Sequence, residues 1–85
     1  IIFPPGTAGY GFLMGNIKFI VLEDWKEEGR EVVLLVEARA TAKSASACDV
    51  NEHIRLNVHA EGDAWVITVP LRPGDGTIIA LMEEI

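Results

Sequence analysis

The sequence has a single cysteine, Cys48, among its 85 residues. An intrachain disulfide needs two cysteines and a cysteine-rich zinc site needs more, so neither can stabilise this chain. A chain this short buries only about 60% of its unfolded surface. Extra stability must therefore come from a dense core or from association with another chain. A lone free thiol is typical of a reducing compartment, so we expect a cytoplasmic protein. Because the sequence starts at Ile1 and not at Met, we also expect processing or excision from a longer chain.

Basic residues are also scarce. Seven Lys and Arg stand against thirteen Asp and Glu, which gives a formal net charge of −6. Such a chain repels a phosphate backbone, and no basic cluster offsets the repulsion. Long apolar runs are missing too, since none approaches the roughly 18 residues that span a bilayer. No basic stretch followed by an apolar one marks a signal peptide. We therefore expect neither a nucleic-acid partner nor a membrane.

Residues suited to catalysis are few. The only two histidines, His53 and His59, would lie about 20 Å apart along one strand, too far to share a metal ion. Cys48 and His53 could act as nucleophile and base, but nothing in the sequence sets their geometry. A lone cysteine in a loop is more often a small, half-buried residue. We therefore expect a protein that is not an enzyme and that has no organic cofactor.

Acidic residues crowd one short stretch, from Glu23 to Glu31. Carboxylates close together repel one another, and a hard cation such as Ca²⁺ would relieve that repulsion. The candidate ligands are Asp24, Glu27, Glu28 and Glu31. The pattern Asp-x-Asp-x-Asp-Gly is absent, so this is not an EF-hand loop. The alternative is a solvated acidic turn that protects a sheet edge from aggregation.

The central part of the chain predicts a β-hairpin. Apolar residues alternate with polar ones on either side of Gly62-Asp63, which suits a two-residue type II′ turn. The turn sets a register in which four pairs share one apolar face: Ala60 with Trp65, Val58 with Ile67, Leu56 with Val69, and Ile54 with Leu71.

An earlier pair of alternating segments, 16–25 and 31–43, predicts another hairpin with a four-residue loop. Its register pairs Leu22 with Val33 and Ile20 with Leu35. These four residues form a second apolar patch, on the face that would otherwise contact water. Either the N-terminal arm or another subunit is expected to cover it.

The remaining segments complete a five-strand prediction. Residues 1–15 indicate an irregular arm with apolar anchors, because prolines and glycines interrupt them; no Gly-Lys-Ser/Thr follows, which argues against a phosphate loop. Residues 44–52 are predicted as a polar connection with room for one helical turn, 72–76 as a turn, and 77–85 as a strand.

Together these patterns predict an all-β domain over 16–85, preceded by the arm at 1–15. Its five-stranded antiparallel sheet would coil into a small barrel or sandwich. The alternative is an α+β fold of order β-α-β-β-α, with 25–46 and 77–85 helical.

Half of the residues are apolar, 49%, which is high for a small monomer and favours self-association. We therefore expect a binding or assembly module that forms a homo-oligomer or binds a protein partner. The interface is predicted to use the arm and the second apolar patch, namely Phe3, Tyr10, Phe12, Ile20, Leu22, Val33 and Leu35. The alternative function is binding of a small molecule or divalent cation at the acidic turn or the barrel mouth.

Overall fold

A computed structural model describes residues 1–26, 28–74 and 76–84. The fold is all-β, as predicted, and is a single antiparallel sheet curled into a half-barrel. Its seven strands are β1 (Thr7–Met14), β2 (Ile17–Asp24), β3 (Arg30–Glu37), β4 (Ser44–Asp49), β5 (Ile54–Glu61), β6 (Ala64–Leu71) and β7 (Thr77–Glu84). The described residues contain no helix, so the α+β alternative was wrong. In particular, none of these residues forms a helix that could cross a membrane.

The spatial order of the strands is β1-β2-β7-β4-β5-β6-β3. The prediction of five strands was wrong because β1 and β4 were assigned to the arm and to a connection. β1 and β2 form a hairpin across the two-residue turn Gly15-Asn16, in which Gly15 has a φ of +67°. Before its last residue, Asp49, β4 consists of Ala, Ser and Cys, and it pairs with β5 on one side and β7 on the other.

The central hairpin is confirmed. Ala60 pairs with Trp65 and Val58 with Ile67, and Gly62 has a φ of +62°. The ladder between β5 and β6 ends at Asn57, and the next residue, Leu56, pairs with Ala47 of β4. The two outer pairs, Leu56 with Val69 and Ile54 with Leu71, were therefore predicted wrongly. The first part of β5 thus pairs with β4, and the rest pairs with β6.

The earlier hairpin was wrong. β2 pairs with β1 and β7, whereas β3 pairs with β6 at the other end of the strand order. Ile20 lies opposite Ile79 and Leu35 opposite Val66. Alternation could not assign the inner face of β2, because both of its faces are apolar.

The core lies on the inner face of the curled sheet. It collects alternate residues from six of the strands: Ile20, Leu22, Val32, Leu34, Val36, Ala47, Leu56, Trp65, Ile67, Val69, Leu71, Ile79 and Leu81. β2 carries apolar side chains on both faces, so Ile17, Phe19 and Val21 point away from the core.

Candidate interaction surface

Three neighbouring strands present apolar side chains on the side of the sheet away from the core. Residues directly opposite in an antiparallel ladder share a face, and on β2 the core takes Ile20 and Leu22. The alternate residues of β1, β2 and β7 therefore point outward. We call this set the outer apolar face: Tyr10, Phe12, Met14, Ile17, Phe19, Val21, Ile78 and Met82.

Aromatic rings run across the outer apolar face. Phe12 stacks on Phe19 with ring centroids 5.5 Å apart, and Tyr10 lies 6.3 Å from Phe12. Tyr10 is 59% exposed, Phe12 42% and Met14 65%. On the outward side of these three strands, charged residues occur only near strand ends, at Glu23 and Glu84. The centre of the face is therefore apolar, uncharged and open to solvent.

A groove of about 310 Å³ continues the outer apolar face toward β4 and β5. Cys48 lies in it, opposite Ala80 of β7 and Arg55 of β5, and is exposed. We call it the Cys48 groove; it is lined by Ile17, Ser46, Ala47, Cys48, Arg55, Ala80 and Met82. Its lining is apolar except for Arg55 and Ser46, so it suits an apolar or aromatic side chain.

The structure separates the seven predicted interface residues. Tyr10 and Phe12 belong to the outer apolar face, whereas Ile20 and Leu22 are fully buried in the core of the single chain. The other three lie elsewhere: Phe3 packs against the core, and Val33 and Leu35 lie on the outward side of β3. The predicted patch is therefore not one surface.

The outward residues of β2 and β7, and Met14 of β1, were not identified from the sequence as part of an exposed apolar surface. The signal available was the Gly15-Asn16 turn, a dipeptide typical of tight hairpins, preceded by Tyr10, Phe12 and Met14 at every second position.

The acidic stretch forms a buried ion pair in the described residues. Both oxygens of Asp24 accept hydrogen bonds from Arg30, at 2.8 Å from Nη2 and 3.1 Å from Nη1. The Arg30 guanidinium holds the pKa of Asp24 below its usual range, although burial acts in the opposite direction. Because the guanidinium occupies both oxygens, Asp24 serves the stability of the fold in this arrangement.

The other predicted cation ligands do not join Asp24. Glu31 lies opposite Pro70 on the outward side of β3, Glu28 is exposed, and Glu27 lies outside the described residues. The residues that the structure describes contain no group of three His, Cys, Asp or Glu side chains placed to hold a metal ion.

A half-buried carboxylate, that of Glu83, lies on the inner side of the half-barrel. Glu83 accepts hydrogen bonds from Nε1 of Trp65 at 2.9 Å and from the backbone N–H of Arg39 at 2.8 Å. Burial opposes ionisation of Glu83, but these donors and the nearby Arg39 and Lys18 charges hold its pKa below the usual range. The cluster ties β7 to β6 and to the loop after β3.

The turn after β4 is held by Asp49. Its Oδ1 accepts from the N–H groups of Asn51 and Glu52, each at 3.1 Å, and from Oγ1 of Thr77. His53 ends this turn with a φ of +57°. These contacts give Asp49 a structural role in the turn that leads into β5.

Comparison of the chain with protein-family models, with curated proteins and with solved structures found no match. The surface must therefore be interpreted from its own geometry.

Proposed function

We propose that the protein is an assembly module that self-associates through the outer apolar face. The observation that carries this proposal is an uncharged, solvent-open apolar surface on three adjacent strands, with neighbouring aromatic rings on β1 and β2. Aromatic residues and methionine are the side chains most enriched at protein interfaces. Their combination on a rigid sheet supports binding of another protein surface more than catalysis.

The size of the face supports a weak interface. With 59% of Tyr10, 42% of Phe12, 65% of Met14 and 45% of Met82 exposed, these four residues present on the order of 400 Å². That is the size at which an exposed patch on a monomer is often functional. Stable interfaces bury about 800 Å² on each partner, so we expect a dimer that dissociates on dilution.

Charge favours a contact between identical copies at this face. Two chains of net charge −6 repel each other on average. The repulsion is smallest where the touching surfaces carry no charge, and on the outward side of β1, β2 and β7 the carboxylates lie near the strand ends. An isologous dimer could therefore form at the centre of the face.

The Cys48 groove gives such a dimer a specific contact. The aromatic residues lie on β1 at one side of the face, and the groove lies beyond β7 at the other side. A two-fold axis near β2 and β7 would place Tyr10 and Phe12 of each copy over the groove of its partner. Aromatic side chains seated in pockets typically dominate interface energetics.

The test is sedimentation of the full chain over a concentration series. We expect the wild-type mass to rise above 9.3 kDa with concentration, and Phe12→Lys to remain monomeric because it would place a charge against the apolar groove of the partner copy. Val33→Lys is the matched control, since Val33 is an outward strand residue of similar exposure, 47%, at the far edge of the strand order.

A wild-type chain that stays monomeric throughout would overturn the proposal. Loss of association in Val33→Lys but not in Phe12→Lys would place the interface on β3 instead. We place the assembly in the cytoplasm, where Cys48 would remain a free thiol.

A further inference from the structure

The N-terminal segment, residues 1–6, crosses between the two edge strands of the sheet. Ile2 forms a bridge with Leu35 of β3, in which its N–H donates to the Leu35 carbonyl at 2.9 Å and its carbonyl accepts from the Leu35 N–H at 3.3 Å. The chain then turns and enters β1 at the other edge. One short segment therefore lies where the half-barrel is open.

The inner side of β1 is shaped to receive this segment. A Cβ at Gly11 would lie 2.6 Å from Cδ1 of Ile1, and a Cβ at Gly9 would lie 3.0 Å from Cε1 of Phe3. A side chain at Gly11 would force the end of the Ile1 side chain to move, and one at Gly9 would crowd the Phe3 ring as well as collide with the Val21 carbonyl. The two glycines thus leave one slot on the inner side of β1, which Ile1 and Phe3 fill. Ile2, between them, pairs with Leu35 of β3.

We infer that this slot, formed by Gly9, Gly11 and the edge of β3 at Leu35, is an acceptor site for an extended apolar-x-apolar strand. In a single chain, the chain's own residues 1–3 fill the slot. When two copies exchange their N-terminal segments, residues 1–3 of each copy fill the slot of the other. Exchange preserves the contacts of Ile1, Ile2 and Phe3 and changes only which chain supplies them. This site lies on the inner side of β1 and is separate from the outer apolar face.

The turn that joins the N-terminal segment to β1 determines whether the segment fills the slot of its own chain or that of a second copy. Pro4-Pro5-Gly6-Thr7 forms a turn in which the Pro4 carbonyl accepts from the N–H of Thr7 at 3.2 Å and from its Oγ1 at 2.6 Å. Gly6 has a φ of +81°, which side-chain-bearing residues rarely adopt. A short tether of this kind gives the segment an effective concentration of about 1 mM at its own slot. Exchange is therefore expected at high protein concentration or when the turn is weakened.

The prolines also prepare the segment for exchange. Residues before a proline favour extended backbone, so Phe3 and Pro4 stay extended when the turn opens. A released segment then already has the conformation that the slot accepts, which lowers the entropic cost of insertion into another copy.

A disulfide trap between two full-length variants tests the inference. One carries Ile2→Cys and the other Leu35→Cys, both with Cys48→Ser, and they are mixed near 1 mM with oxidised glutathione as the oxidant. The matched control replaces Leu35→Cys by Val33→Cys, two residues away on the same side of the same strand. A single chain with both Ile2→Cys and Leu35→Cys shows whether the pair can close.

We expect the mixed disulfide of Ile2→Cys with Leu35→Cys to exceed that with Val33→Cys. Gly6→Ala in both chains should raise its yield about tenfold, because alanine disfavours the positive φ of the turn. The yield should be unchanged in a Phe12→Lys background, which separates this inference from the outer apolar face.

Two outcomes would overturn the acceptor site. If the double variant closes within one chain but the two mixed yields are equal, the segment does not exchange. If the double variant does not close, the contact between Ile2 and Leu35 does not hold in solution and the slot is not occupied as described.

Discussion

At the scale of single residues, Gly9 and Gly11 explain why an apolar N-terminus can fold back onto a strand. The sequence shows their spacing, and the structure places both on the strand β1. Their partners, Phe3 and Ile1, could not be found from the sequence because the contact depends on a turn and a sheet edge. Glycines in a strand indicate that another group packs closely against the backbone, but they do not identify that group.

Replacing Gly9 with alanine should destabilise the fold. The added Cβ would collide with the backbone carbonyl of Val21, which cannot move without separating β1 from β2. We expect Gly9→Ala to lower the free energy of unfolding by roughly 3 kcal/mol, measured by urea denaturation. Gly29→Ala is the control, because its nearest contact would be an ordinary 3.5 Å, and it should change stability by less than about 0.5 kcal/mol. Equal effects of the two substitutions would refute the close approach at Gly9.

At the scale of elements, the sequence predicted the hairpin of β5 and β6 well because only one of its faces is apolar. β2 and β3 were identified as strands but paired wrongly, since apolar residues on both faces leave the register open. β1 and β4 were missed because glycine, alanine and serine carry little strand preference. The outer apolar face depends on β1 and on the pairing of β2 with β7, so it could not be assembled from the sequence.

Phe3 should hold the N-terminal segment in place, so that Ile2 can protect the edge of β3 at Leu35. The Phe3 side chain packs against the core from a partly buried position, so we expect Phe3→Ala to cost about 2 kcal/mol. Loss of this anchor should also release the bond from the Leu35 N–H to Ile2. Hydrogen exchange should then accelerate more at the Leu35 amide than at Ile79 in the central strand β7. An equal acceleration at both amides would show that the segment does not protect the edge locally.

At the scale of the whole molecule, acidic charge and a small core define the conditions in which the fold is stable. Asp24 and Glu83 have folded-state pKa values below their ordinary values of 3.8 and 4.5. The folded chain therefore binds fewer protons than the unfolded chain in this range. The stability they contribute is fully present above about pH 5 and is lost as the pH falls through the folded pKa values.

The pH dependence should change when the partner of Asp24 is removed. We expect the urea midpoint of the wild type to fall as the pH drops from 5 toward 3, and Arg30→Met to flatten that fall because burial then raises the pKa of Asp24. Arg72→Met is the control, since Arg72 pairs with Glu52 at the exposed surface at 2.9 Å. Identical pH profiles for the two variants would contradict the role assigned to Arg30.

The central claim, self-association through the outer apolar face, is tested most directly by the alkylation rate of Cys48 as the protein concentration rises. Cys48 is the only cysteine, and it lies in the groove that the proposed dimer covers. We expect the second-order rate constant with iodoacetamide to fall as the wild-type chain associates, and to stay constant in Phe12→Lys. A rate constant that does not change while sedimentation shows the wild type associating would place the interface elsewhere and contradict the account.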